Sequence, residues 1–533
     1  MAEVSGAEPA GRNRTQGLVA GLSQGRLVIW LIALLVLATA ILNAVKFSGH
    51  FHDDAFISLR YARHLAELGE LAWNPGEPVE GYTNPLHVVM SAALIRIGFD
   101  GMAAVHLING AAVLALWALV WALTSGLPTA ARLAGLSAAV CTPVLAWAWG
   151  GLEAVPAAAF VAGGFLAAIR ATGPRDRLAL SALASFLFGL AYLTRPDALM
   201  MNLATGIAVL AVSGLPLGRR MLHFVTLGSI SGLMLLLHVA VRLTVYGLWL
   251  PLTFYAKVGV DPLERLEAGA IYLGLGMIEL PAIALVIALA LALRGGTAEP
   301  EHDGARRLAR MSMFTLALFL AYIVWSGGDH MYFARILVPT VPVLALATAA
   351  NIARLPRPAL GATALLLAVL GAGQAAVRPF AAADDAAAIG AVVGKYLAAN
   401  YPPGTTIALA TAGSTPYFAD MHRYIDTLGL NDPVIALRDP VPILTEFQKS
   451  PGHGKGDGAY VLSRKPDVII LGLAAGPLGP DPVFLTDAEL AANPEFARCY
   501  EERKVELEPP FDVPLDAPSI RKPISFIRHE RVC

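Results

Sequence analysis

The sequence predicts a polytopic α-helical membrane protein with a C-terminal α/β domain outside the bilayer. Three observations lead there. Of 533 residues, 56% are hydrophobic and 15% charged, with mean hydropathy +0.60; soluble proteins carry about 25% charged residues. About eleven segments are apolar over roughly the 20 residues that a helix needs to cross a bilayer. Beyond residue 378 the long apolar runs stop. There "TTIALAT", "MHRYIDTLGLND" and "PDVIILGLA" alternate with Pro/Gly turns, as short strands and helices do.

Residues 1–26 are polar, carry Arg12, Arg14 and Arg26, and read as a cytoplasmic tail. The run "LVIWLIALLVLATAILNAV" follows without a small-x-small cleavage site, so it reads as an uncleaved first span. The spans fall at roughly 27–46, 103–124, 129–147, 153–170, 178–194, 198–214, 221–245, 268–293, 309–326, 334–352 and 358–376. The segment 85–98 is too short for a full crossing and reads as a surface or re-entrant helix. With the N-terminus in the cytoplasm, the short loops holding Arg170/Arg175/Arg177, Arg219/Arg220, Arg294/Arg306/Arg307/Arg310 and Arg354/Arg357 all lie inside. That agreement with the positive-inside rule supports eleven spans and an external C-terminus. The domains are therefore the tail 1–26, a membrane domain 27–377 with a first external loop 47–102, and an outer α/β domain 378–533, long enough for its own core. A net charge of −1 points to no nucleic-acid partner.

The remaining ionisable residues gather on the outer side: Asp53 and Asp54, Glu153, Arg195 and Asp197, Lys257 beside Tyr255, and Asp329, His330 and Arg335. Charge near hydrocarbon is expensive and marks functional sites. After the pair, Ala55, Leu59, Ala62 and Ala66 recur at helical spacing, so an amphipathic helix is expected to lie on the membrane. One aspartate can cap that helix. A cap needs one acid, however. Two adjacent carboxylates repel, which raises one of them toward the range of a general base. Arg335, His330, Lys257 and Arg195 are the cations available for a phosphate leaving group. Each also has a plainer reading: interfacial snorkelling for Arg335 and Lys257, an ion pair across a helix start for Arg195 and Asp197, a satisfied polar residue for His330, and a helix-start acid for Glu153. No CxxC or metal-ligand spacing occurs. The aspartate pair offers a divalent cation such as Ca²⁺ or Mg²⁺ oxygen ligands, but too few to require one.

These stretches resemble a known group. "HDDAFISLRYARHLAELGELAWNPGEPVEGYTNPL", "GGLEAVP", "LTRPDALM", "YGLWLPLTFYAK", "GGDHMYFARILVPTVPVL", "YIDTLGLNDPVIA" and "PGHGK" together resemble GT-C glycosyltransferases of the AftB-type terminal arabinofuranosyltransferases of mycobacteria. The resemblance covers most of the chain in the same order. It departs at His330, where an aromatic is expected after "GGD". It implies an inverting transfer at the outer face of a bacterial plasma membrane, from a polyprenyl-phosphate sugar to a glycan or glycoprotein. The donor would be decaprenyl-phospho-arabinofuranose. The base falls on Asp53 or Asp54, with Asp53 taken first and Asp54 orienting the acceptor or a cation. Arg335, His330, Lys257 and Arg195 would hold the donor phosphate, and Glu153, Asp329, Tyr255, Tyr82 and Asp197 the substrates. No metal is required.

Two other classes fit parts of the pattern. A flippase for a lipid-linked saccharide would place ionisable groups at mid-membrane and show paired halves, whereas these acids sit at span ends and no repeat is visible. A non-catalytic envelope scaffold accounts for the outer domain and leaves the aspartate pair without a role. Of three cysteines, Cys141 lies within a span, while Cys499 and Cys533 both fall outside, where an oxidising compartment would permit a disulfide.

Overall fold

In the computed structural model the described residues are 11–257, 262–293, 303–449, 452–477 and 479–533; the side chains of 11–24 and 257 fall outside that set. Arg294 also lies outside it. Among the described residues, seven helices are long and apolar enough to cross a membrane: Gly25–Lys46 (the C-terminal part of Gly11–Lys46), Gly101–Leu123, Ala154–Ala171, Leu217–Tyr246, Asp303–Ser326, Arg335–Ile352 and Arg357–Val377. Two further pairs are bent, Thr129–Ala139 with Thr142–Trp149 by 44° and Pro262–Glu279 with Ala282–Ala292 by 94°. Each break carries a proline, Pro143 or Pro281, which removes an N–H and crowds the preceding turn.

Leu178–Thr194 and Ala198–Val212 are apolar but shorter, with 17 and 15 residues. Each of the eleven apolar segments in the sequence is thus helical. By length and composition seven qualify as spans, or up to nine with the bent pairs. Segment 85–98 holds the 12-residue helix Pro85–Arg96. Exposed faces are strongly apolar, with Trp30, Leu236 and Ile278 each about 70% accessible. Such surface suits lipid and would be unstable in water.

The bundle packs closely where side chains are small. The window Arg335–Ile352 is 94% buried. A Cβ on Gly135 would stand 2.8 Å from the Ala345 carbonyl oxygen, so the two helices approach backbone to backbone there.

Outside the bundle, five strands form one sheet in the order β2-β1-β3-β5-β4. These are β1 Thr406–Leu409, β2 Arg423–Asp426, β3 Val468–Ile469, β4 Tyr500–Leu507 and β5 Ile524–Arg531. β1 runs parallel to β2 and β3, and β5 antiparallel to β3 and β4. Cys499 and Cys533 are joined in a disulfide, which ties the chain end to the start of β4.

The loop 47–102 is caught between the bundle and this sheet domain. Helix Asp53–Glu67 buries not only Ala55, Leu59, Ala62 and Ala66 but also Phe56, Ile57, Arg60, Tyr61 and His64. It therefore does not float on a membrane surface with its polar face in water: both faces are covered. Fully buried Arg60 donates to the carbonyls of Trp73 (2.7 Å), Pro416 and His422 (3.3 Å) and pairs with Asp420 at 2.7 Å. The helix cap also differs from the sequence expectation. Neither aspartate caps it; the His52 ring nitrogen accepts the Asp54 N–H at 3.2 Å, and both acids lie in the first turn.

A second tie holds the loop to the bundle. Glu80, 1% exposed, accepts from Arg242 Nε and Nη2 at 2.5 and 2.9 Å, and His238 stands 3.3 Å away. Removing one partner of such a buried pair leaves an uncompensated charge, at a cost of about 3–5 kcal/mol. Arg242→Met is expected to lower the thermal unfolding midpoint of the purified protein, and Glu80→Gln added to it to restore part of the loss. An Arg242→Met midpoint equal to the native one would show that the pair does not secure the loop.

Candidate active site

A cavity of about 290 Å³ opens where the outer helix ends meet the first loop. Asp54, Ser58, Tyr82 and Asn84 line it from the loop, Glu153, Arg195, Asp197, Thr253, Tyr322 and Arg335 from the bundle, and Leu430 from the sheet domain. Each bundle residue stands at or near a helix end. Glu153 precedes Ala154–Ala171, Arg195 and Asp197 fill the break before Ala198–Val212, and Arg335 opens its own helix. Phe333 and Ala334 just before Arg335 adopt left-handed backbone, φ +54° and +47°, which turns the chain into the cavity wall. Non-glycine residues held this way store strain that surrounding packing must sustain, commonly at functional sites.

The walls are linked by charge. Arg195 donates to Glu153 at 2.8 Å and to the Asp197 carboxylate at 2.8–3.0 Å. Glu153 also accepts from the Asn84 amide at 3.2 Å, and Ser58 donates to Asn84 at 3.2 Å. Burial pushes the Glu153 carboxyl up, but the Arg195 and Arg335 guanidiniums more than offset it, so the group stays below the usual carboxylate range. Asp329 lies behind the wall, where Arg335 Nε donates to it at 2.7 Å. Burial there is likewise outweighed by Arg335 and Arg195, and the Asp329 carboxyl is held low. The two Nη groups of Arg335 make no hydrogen bond among the described residues, and the guanidinium lies 5.6 Å from the Trp147 ring centre. Two donors thus face the cavity uncommitted.

The aspartate pair splits. Asp54 is half-buried on the cavity wall. Asp53 does not line it: the side chain is buried beneath the sheet domain, and its Oδ1 accepts the Ser414 N–H at 2.8 Å. Gly413 permits this seat, because a Cβ there would fall 2.1 Å from the Asp53 carbonyl oxygen. Burial, then the charges of Asp384 and Asp54, push the Asp53 carboxyl up to about 6 despite the Ser414 bond. The sequence expectation that takes Asp53 first as the base meets a carboxylate packed away from the cavity. Successive residues of a helix point about 100° apart, and the outer domain covers the first of the two.

Other expected residues also separate. Tyr82, Glu153, Arg195, Asp197 and Arg335 line the cavity with Asp54. Tyr255 does not: in helix Leu252–Lys257 Thr253 takes the wall position, and Tyr255, two residues on, turns to the other side and packs on Phe254. His330 is outside the lining, 3.4 Å from Asp329 and 6.3 Å, ring to ring, from His453 of the sheet domain. The Lys257 side chain falls outside the described residues. No group of three His, Cys, Asp or Glu among the described residues has the geometry to hold a metal ion. Asn84, Ser58 and Leu430 escaped the sequence reading, although Asn84 sits in the "EGYTNPL" stretch and Leu430 in "DTLGLND".

With this geometry in view, comparison with known proteins bears on the fold. A family model described as a domain of unknown function, DUF8728, matches residues 379–508. No curated protein matches the chain. The crystal structure of ArnT from Cupriavidus metallidurans bound to undecaprenyl phosphate superposes with TM-score 0.52 at 12% identity, over 74% of this chain and 85% of ArnT. The oligosaccharyltransferase of Archaeoglobus fulgidus gives TM-score 0.43 at 14% identity, over 74% of this chain and 62% of that one. The chain shares the fold of ArnT.

The Asp53 seat has a pH signature. A free aspartate releases its proton near pH 3.9, whereas folded Asp53 keeps it to about 6. The folded state binds the extra proton in that window, so this group makes stability fall as pH rises from about 4 to about 6. Asp53→Asn keeps an oxygen for Ser414 and removes the titration. Thermal midpoints across pH 4–7 are expected to show a flatter profile in the variant and a midpoint at pH 7 no lower than native. A profile parallel to the native one would contradict the buried-acid assignment.

Proposed function

We propose that the protein is a polyprenyl-phosphate-dependent glycosyltransferase that moves a sugar to an acceptor hydroxyl with inversion. The observation that carries this reading is the shared cavity wall of Asp54 and Arg335: one carboxylate able to accept a proton faces two uncommitted guanidinium donors. The GT-C fold supports it, since ArnT in that fold is bound to undecaprenyl phosphate. Arg335, assisted by the remaining amino group of Arg195, holds the donor phosphate. The acceptor hydroxyl attacks the anomeric carbon as Asp54 takes its proton. The carbon–oxygen bond to phosphate breaks in the same step, and the polyprenyl phosphate leaves with its charge stabilised by the arginines. Asp329 orients Arg335, while Glu153 and Asp197 orient Arg195. Tyr82 and Asn84 contact sugar or acceptor.

This assignment moves the base from Asp53 to Asp54 and gives Asp53 the role of fixing the outer domain over the loop. In this reading the phosphate is held by directional hydrogen bonds from the guanidiniums, and no metal ion is required. In this reading 27–377 is the catalytic membrane unit and 378–533 the outer unit. The arginine pattern of the short loops supports an N-terminus in the cytoplasm of a bacterial plasma membrane. The resemblance in the loop motifs favours arabinofuranose as the sugar and a cell-envelope glycan as acceptor.

The test offers the purified protein a panel of synthetic polyprenyl-phospho-sugars, arabinofuranose included, with acceptor oligosaccharides, and follows transfer by mass spectrometry. Transfer from one donor is expected. Asp54→Asn should lower it at least about 10²-fold, and Arg335→Gln by about 10²–10³-fold, with Asp53→Asn less affected. Full activity in Asp54→Asn together with loss in Asp53→Asn would return the base to Asp53.

A further inference from the structure

A second cavity among the described residues is larger than the one above. It measures about 1010 Å³ and lies at the opposite ends of the helices. Helix Ala154–Ala171 spans the two sites: Glu153 before its start lines the first, and Arg170 in its last turn lines the second. Eighteen residues at about 1.5 Å each separate them by about 27 Å.

Among the described residues, four arginines line this second cavity, Arg170, Arg175, Arg177 and Arg307, and no acidic residue does. Among the described residues none of the four forms an ion pair with a carboxylate, in contrast to nearby Arg219, which is paired with Asp176 at 2.6 Å. Arg307 donates through Nη2 to the Ile169 carbonyl (3.2 Å) and Thr172 Oγ1 (2.9 Å), while its buried Nε has no partner. The floor is apolar, with Leu127 and Leu308 among its residues. Here four arginines line one hollow together with apolar side chains at the helix ends.

We propose that this cavity binds the phosphate group of an anionic glycerophospholipid from the leaflet opposite the catalytic cavity. Guanidiniums bind phosphate oxygens bidentately, and basic pockets between transmembrane helices take anionic headgroups. The apolar floor receives the first methylenes of the acyl chains. A soluble phosphate would satisfy the arginines but leave that floor empty. The site is independent of the transfer reaction proposed above.

The test uses the full-length protein, delipidated in detergent and titrated with phosphatidylglycerol, phosphatidylcholine or inorganic pyrophosphate, and read by native mass spectrometry and thermal midpoint. Phosphatidylglycerol is expected to be retained and to raise the midpoint, and phosphatidylcholine not. Arg170→Gln/Arg307→Gln should weaken phosphatidylglycerol retention at least tenfold and abolish the lipid-induced rise in midpoint; Arg521→Gln in the sheet domain should do neither. If that double variant fails to fold, Arg175→Gln/Arg177→Gln, at exposed positions, should weaken retention at least threefold. Retention that is equal in native protein and variants overturns the site. Arginine-dependent binding of pyrophosphate without binding of phosphatidylglycerol overturns the lipid assignment.

Discussion

The buried pair Glu153–Arg195 is the constraint on which the outer end of the bundle depends. Neither charge can be left alone at that depth, since an unpaired buried ion costs several kcal/mol. Glu153 precedes one helix and Arg195 ends another, so their 2.8 Å contact fixes the spacing of two helices. Asp197 binds the far side of the same guanidinium, and Asn84 brings the external loop onto Glu153. Arg335 and Asp329 make a second, parallel pair. Acids outnumber arginines on this wall, so its guanidiniums are held rigidly and much of their charge is already balanced. What remains for a ligand is directional: the free donors of Arg335 offer two hydrogen bonds in a fixed plane instead of a diffuse positive field.

The first external loop acts as a wedge under the sheet domain. Arg60 is satisfied only because Trp73 of its own loop and Pro416, Asp420 and His422 of the outer domain surround it. Gly81 meets the outer domain at equally close range, since a Cβ there would clash with the Asn431 side chain. Asn431 in turn accepts from Tyr61 and donates to buried Asp426. The "DTLGLND" turn therefore sets the height of the cavity roof at Leu430. Cavity shape is in this way a joint property of loop, bundle and sheet domain.

Much of this was legible from local pattern. Apolar runs marked the helices, because that signal acts within a few residues, whereas the bends beside Pro143 and Pro281 emerged only in the fold. The gathering of Asp54, Glu153, Arg195 and Arg335 at one end of the bundle followed from their places at span ends. The division of labour within the aspartate pair did not, since it depends on Ser414, which follows 361 residues later. The cap was misread for a similar reason: an acid before a helix is the usual signal, yet a histidine side chain supplied the bond. Thr253 against Tyr255 was a matter of helical phase in a six-residue helix too short to show one. Strand β4, "YEERKVEL", has no apolar alternation because it is the sheet's edge and four of its central residues face water.

Donor binding separates the central claim, that Arg335 and Asp54 share one phosphate-accepting cavity, from questions of sugar and acceptor. The measurement is the affinity of a polyprenyl monophosphate for the full-length protein in nanodiscs, compared among native, Arg335→Gln and Asp54→Asn forms. Loss of a charged hydrogen-bond donor should weaken binding by about tenfold or more, while removal of the neighbouring carboxylate should leave affinity unchanged or improve it. Native affinity in Arg335→Gln, or a comparable loss in Asp54→Asn, would contradict the account.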